Sequence, residues 1–173
     1  MEINKPGAHI DQMLRQTRVH HVQLSMMADQ KASMLITVCA IIIPLTAHFL
    51  GNPHFRLVAF TLICFSVLTM LLAIYTAMPG IHKPENVDVA ASSFNPLFFA
   101  DFKSLDYEEY EKLIGDISND PSRVYEVQIR EIYLLGKYLA NYKYKYLRLS
   151  YLSFLSGIVT SGLIWVVTGV FFS

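Results

Sequence analysis

Three long apolar stretches without a single Asp, Glu, Lys or Arg constrain this chain more than any other feature. They are Ala32 to Leu50, Leu57 to Met78 and Ser150 to Phe172. A helix rises about 1.5 Å per residue, so the shortest of them reaches roughly 29 Å, enough for the hydrocarbon core of a bilayer. Backbone at that depth has no water to bond to, and a continuous apolar run satisfies itself only as a helix. The expectation is an all-α membrane protein: three transmembrane helices with long cytoplasmic helical extensions. Residues 1–31 form an N-terminal helical arm and 32–78 a membrane hairpin. Residues 79–148 form a cytoplasmic loop and stalk, and 149–173 the third span.

Composition narrows the classes. Hydrophobic residues make up 53% of the 173, and the 14 basic residues balance the 14 acidic ones. No basic footprint for nucleic acid is present. Cys39 and Cys64 both lie inside apolar runs, which argues against a disulfide framework. The first 33 residues are too long and too polar for the start of a signal peptide, so no cleavage is expected.

In chain order, Met1 to Ala8 reads as a loose end broken at Pro6-Gly7. From about Ile10 a weak apolar stripe runs at helical spacing through Met13, Leu14, Thr17, His21, Leu24 and Ala28. The junction Ala28-Asp29-Gln30-Lys31-Ala32-Ser33 leads into the first span, where Pro44 removes a backbone donor and favours a kink. Gly51-Asn52-Pro53-His54 is a turn, and Pro79-Gly80 ends the second span. Ser92-Ser93-Phe94-Asn95-Pro96 reads as loop. Asp106 and Glu109 fit a capping box for a helix from about Tyr107 to Ile117, with Asn119 after it. Asp120-Pro121 is the clearest helix start in the chain. From there Tyr125, Ile129, Ile132, Gly136, Leu139, Tyr146, Leu149 and Ser153 trace one face to the C-terminus, with Gly136 as the weak point.

Basic residues give an orientation. Lys5, Arg15, Arg18 and Lys31 precede the first span, and nine more lie between residues 79 and 148. The short turn holds only Arg56. The N-terminus and the middle segment should be cytoplasmic. Tyr142, Tyr144, Tyr146 and Tyr151, among Lys143, Lys145 and Arg148, make an interfacial belt at the cytoplasmic mouth of span three. Thr69, Ala73 and Ala77 in span two, and Ser153, Gly157 and Ser161 in span three, repeat small residues at four-residue spacing, the pattern for close helix contact. Both sets fall at one depth. They could face each other or mediate contact between copies.

Each candidate site has two readings. Asp29 and Lys31 are a charged latch at the membrane mouth or two solvated caps, and they point to different faces. The run Leu97-Phe98-Phe99-Ala100-Asp101-Phe102 is expected to be buried, either against the arm helices or at the membrane surface, as an aromatic pocket or as a plug. Adjacent His20-His21 diverge on a helix, and no ligand stands at zinc spacing, so no metal is expected. His48 lines a pore or sits at the outer interface. Asp106, Glu108, Glu109 and Glu111 form an acidic cluster or a solvated face. No phosphate loop, nucleophile–base pair or intramembrane carboxylate is found. Neither an enzyme nor a cofactor is expected.

The junction motif together with Asn95-Pro96-Leu97-Phe98-Phe99, Tyr107-Glu108-Glu109-Tyr110, Ile132-Tyr133-Leu134-Leu135-Gly136-Lys137-Tyr138-Leu139 and Lys145-Tyr146-Leu147-Arg148 resembles the transmembrane-effector domain of the bacterial Pycsar anti-phage systems. The layout is also similar to small SLATT-type membrane proteins. The resemblance covers about residues 10 to 172. It implies an inner-membrane effector that senses a cyclic pyrimidine nucleotide, oligomerises and impairs the membrane, so that the infected cell dies or stops growing (abortive infection). It also implies membrane lipids and further copies of the chain as partners. Asp29 and Lys31 become the family's junction residues, and Asn95, Phe98 and Phe99 its loop motif. These residues show neither the run of short strands nor the Gly/Glu/Arg phosphate cassette of the cyclic-nucleotide-binding β-barrel that such effectors can carry, so none is expected in them. Sensing then falls to the helical part or to a separate sensor protein. The alternative is a membrane anchor or scaffold that forms no pore, which the charge-free spans favour. A third reading makes the stalk itself a nucleotide-binding module.

Overall fold

The computed structural model describes residues 7–78 and 94–171. The expectations for Pro6, Pro79-Gly80, Ser92-Ser93 and Phe172 lie outside the described residues. The order is α1 (Ala8–Ala47), a 3-10 turn (His48–Gly51), α2 (Arg56–Ala77), α3 (Phe99–Phe102), α4 (Tyr107–Ser118), α5 (Pro121–Tyr138), a π turn (Leu139–Lys143) and α6 (Tyr144–Phe171). No strand occurs among the described residues. Three helical runs are long and apolar enough to cross a membrane: Ala8–Gly51, Arg56–Ala77 and Pro121–Val170.

The helix ends follow local chemistry. α1 contains no glycine, and its Gln, Met, Leu and Ala residues are good helix formers. Pro44 cannot donate to the carbonyl four residues back, and α1 gives way to the 3-10 turn three residues later. Asn52 shapes the hairpin: its Oδ1 accepts the His54 N–H at 3.1 Å, and its carbonyl accepts those of Phe55 and Arg56. Asp120 Oδ1 accepts the Ser122 N–H at 2.9 Å, with Pro121 as the first helical residue. Asp106 precedes α4 with extended backbone, but its side chain makes no cap bond. The expected capping box does not form. What remains is the attraction of Asp106, Glu108 and Glu109 for the partial positive charge of the helix start.

Gly136 is not the weak point. It stays α-helical, and the departure from α geometry comes at the π turn that begins with Leu139. Gly136 serves close packing instead. A Cβ there would stand 3.2 Å from Cε1 of His21.

Two compact units result: residues 7–23 with 94–138, and residues 24–78 with 139–171. The first buries Leu14, Phe94, Ala100, Ile117 and Tyr125. Tyr125 donates its hydroxyl to Asp11 Oδ1 at 2.6 Å, and Arg18 pairs with Glu131 at 3.0 Å. The second is built on Ala28, Ala32, Leu35, Ala73 and Leu147, with Ile36, Tyr144 and Phe154 against them. Within it, α2 and α6 run antiparallel. Phe65 meets Gly157, Thr69 bonds Ser153, and Tyr75 stacks on Tyr146 at 5.8 Å, so numbers rise on one helix as they fall on the other.

Candidate functional site

The second unit holds the chain's one deeply buried cation among the described residues. Lys143 closes the π turn and is only 8% exposed. Its Nζ donates to both carboxylate oxygens of Asp29 at 2.7 Å and to Ser25 Oγ at 2.8 Å. All three ammonium protons therefore have acceptors. A cation removed from water is tolerable only with such a complete set. Tyr144, the next residue, donates to the Leu24 carbonyl at 3.2 Å and ties the same turn to α1.

Of the two junction residues, Asp29 thus makes the latch, across 114 residues of sequence. Lys31 is exposed. The sequence reading placed Lys143 in a belt of interfacial Tyr and Lys side chains and missed it. One signal was present: Lys143 lies four residues from Leu139 and four from Leu147, both buried.

The π turn also explains an error of phase. The stripe read from the sequence continued through Tyr146 and Leu149. A π turn carries one residue more than an α turn, which advances the inward face by one position. Leu147 and Ser150 are buried and Leu149 is 40% exposed, while Ser153, one turn further on, is buried as the stripe had it.

Above the latch lies a seam of hydroxyls. Ser66, Thr69 and Thr76 on α2, and Ser150, Ser153 and Ser161 on α6, are buried. Thr69 Oγ1 donates to the Phe65 carbonyl at 2.7 Å and lies 3.2 Å from Ser153 Oγ. Thr76, Ser150 and Ser161 bond carbonyls of their own helices, those of Leu72, Leu147 and Gly157. In an apolar span such back-bonding satisfies hydroxyls that water cannot reach. Gly157 brings the helices together. A Cβ there would meet Phe65 Cβ at 2.5 Å, closer than carbon atoms stand.

Most of the small-residue set lies in this seam: Thr69, Ala73, Ser153, Gly157 and Ser161 are all buried. Ala77 is not; it is exposed, and Thr76 takes its place. Four-residue steps rotate about 40° too far each time, whereas the seven-residue step from Thr69 to Thr76 returns almost to the starting face.

The loop motif turns on Asn95. Asn95 is buried at 4% exposure, its Oδ1 accepts the Leu97 N–H at 3.0 Å, and its own N–H donates to Asp101 Oδ2 at 2.9 Å. This turn sends Leu97, Phe98 and Phe99 outward, with Phe99 65% exposed. Within the chain these three are exposed while Phe94, Pro96 and Ala100 are buried, so of the two expected places of burial the membrane surface is the one that fits them. Phe102 packs on Tyr110 at 4.6 Å. His20 and His48 are exposed, as are Asp106, Glu108, Glu109 and Glu111. No group of metal-ligating side chains occurs among the described residues.

A three-span helical membrane protein with a buried lysine paired to a carboxylate at the mouth of its third span is the class these features define. The chain belongs to the Pycsar effector protein domain family, whose model matches residues 12–171. It is therefore a Pycsar anti-phage effector with a transmembrane domain. No curated protein and no solved structure matches it.

Proposed function

We propose that this chain is a non-enzymatic effector of the bacterial inner membrane. On a cyclic-nucleotide signal it assembles with further copies and impairs the membrane, which ends the infection with the cell. The family match over nearly the whole chain carries this reading. The N-terminus and residues 79–148 lie in the cytoplasm, in keeping with the excess of Lys and Arg there. The signal is read either by the helical cytoplasmic residues or by a separate sensor protein; nucleic acid is not a partner.

The hydroxyl seam supplies a route to leakiness. The spans carry no charge, and their largest buried polar set is sealed between α2 and α6. Parting these helices would present Thr69, Thr76, Ser153 and Ser161 to water, a polar lining that the closed chain hides. The latch holds the cytoplasmic end of α6 against α1 and opposes that opening.

A second reading, a scaffold that anchors a cytosolic sensor and forms no pore, draws on the apolar outer faces of the spans. Membrane potential in cells producing the chain, with and without supplied cyclic UMP or cyclic CMP, separates the two. The effector depolarises the cells. The scaffold leaves the potential intact at any level of induction.

A further inference from the structure

The first unit holds a cleft between α4, α5 and the loop that precedes α3. Phe94 and Ile117, each 7% exposed, floor it together with Val127 of α5. Arg123, Glu126 and Arg130 stand around it, also on α5. Steps of three and four residues keep these four α5 positions on one face of the helix. The cleft measures about 110 Å³. An apolar cavity of about 150 Å³ holds one benzene ring. There is thus room for a single flat ring, and a fused pair would leave one ring outside.

The charges around this floor favour an anion. A guanidinium presents its donors in a planar fork that suits phosphate and carboxylate oxygens. Arg130 donates to Glu126 at 2.9 Å, a bond that directs it one turn back towards Arg123. Arg123 pairs with no carboxylate among the described residues. Two guanidiniums against one carboxylate leave one positive charge in excess in the lining. Arg123 and Glu126 are exposed, whereas Phe94 and Ile117 are buried, so the cleft is apolar at its floor and charged at its mouth.

We propose that this cleft binds a small organic anion of single charge, with its one flat ring on Phe94, Ile117 and Val127 and its charged group between Arg123 and Arg130. The proposal rests on the reading that the helical residues themselves take the signal, and it assigns the place. A cyclic pyrimidine monophosphate has this chemistry: one six-membered base, and one charge on a diester phosphate. A cyclic purine monophosphate has a ring too many for the floor. A nucleoside lacks the charge.

The test is equilibrium binding of labelled cyclic UMP to the full chain in lipid nanodiscs, with unlabelled cyclic AMP and uridine as competitors. Cyclic UMP should bind saturably, and both competitors should be weaker by about tenfold or more, the worth of one charge-assisted bond. Arg123→Gln should weaken binding by a similar factor, about tenfold. It keeps its helicity, because Arg123 has no ion pair within the described chain to lose. Val127→Trp, which fills the floor, should abolish binding. Lys112→Gln, an exposed charge on α4, should leave it unchanged. No saturable binding of cyclic UMP, equal binding of uridine, or parental affinity in Arg123→Gln would overturn the proposal. Binding with the expected pattern and no loss of membrane potential would keep the site and remove the effector reading. Depolarisation by cyclic UMP at the parental dose in cells producing the Arg123→Gln chain would keep the effector reading and remove the site.

Discussion

At the scale of single residues, the pair Asp29–Lys143 carries an asymmetry that can be measured. The Lys143 side chain is 10% exposed and that of Asp29 41%. Losing the acid strands a buried cation, while losing the base leaves a carboxylate that still reaches solvent. Asp29→Asn should therefore cost more than Lys143→Met, on the order of 3 kcal/mol. The double substitution should be more stable than Asp29→Asn alone. Thermal unfolding of the detergent-solubilised protein reads the order, and equal losses for both single variants would refute it. In the other unit, Tyr125 donates to Asp11, and that bond holds the phenol above its usual range, helped by burial and by the carboxylate charge. The sign follows directly. A pKa raised on folding stabilises fully below the unfolded value of about 10 and is lost as pH rises through the folded value. Helicity of the unit should fall above about pH 10. Tyr125→Phe should abolish that step and lower the stability of the unit at neutral pH, where the bond to Asp11 is intact.

At the scale of elements, Gly157 and the π turn are the decisive features. Gly157→Leu should separate α2 from α6, because even a methyl group would collide with Phe65. Cysteines at positions 69 and 153 that cross-link in the parent should then fail to do so. The neighbouring Ile158→Leu, on an exposed position, should leave the cross-link intact. Much at this scale was legible in the sequence. Asp120-Pro121 announced α5, and the charge-free runs announced all three long helices, because caps and hydropathy act locally. The position of the π turn was not legible. Nothing in Leu139-Ala140-Asn141-Tyr142-Lys143 forces it locally, and it is associated with contacts to Ser25 and Asp29 more than a hundred residues away. The same distance hid the role of Lys143. For Phe98 and Phe99 the sequence left open which surface would cover them. Their composition argues for burial, and the bonds of Asn95, which direct them away from the rest of the chain, are not written in that composition.

At the scale of the whole molecule, the chain joins three apolar spans, free of charge, to helices that carry most of its ionic groups. The polar side chains buried within its spans lie on α2 and α6, whereas Ser33, Thr37 and Ser156 are exposed. That distribution suits a protein that is quiet as a closed chain and active on assembly. The central claim is that assembly impairs the membrane. It is tested most directly by recording membrane potential in cells producing the chain, with cyclic UMP or cyclic CMP supplied or withheld and the remaining components of its defence system present. The account predicts collapse of the potential when the signal is given. An intact potential at high expression, with signal and sensor both present, would contradict it.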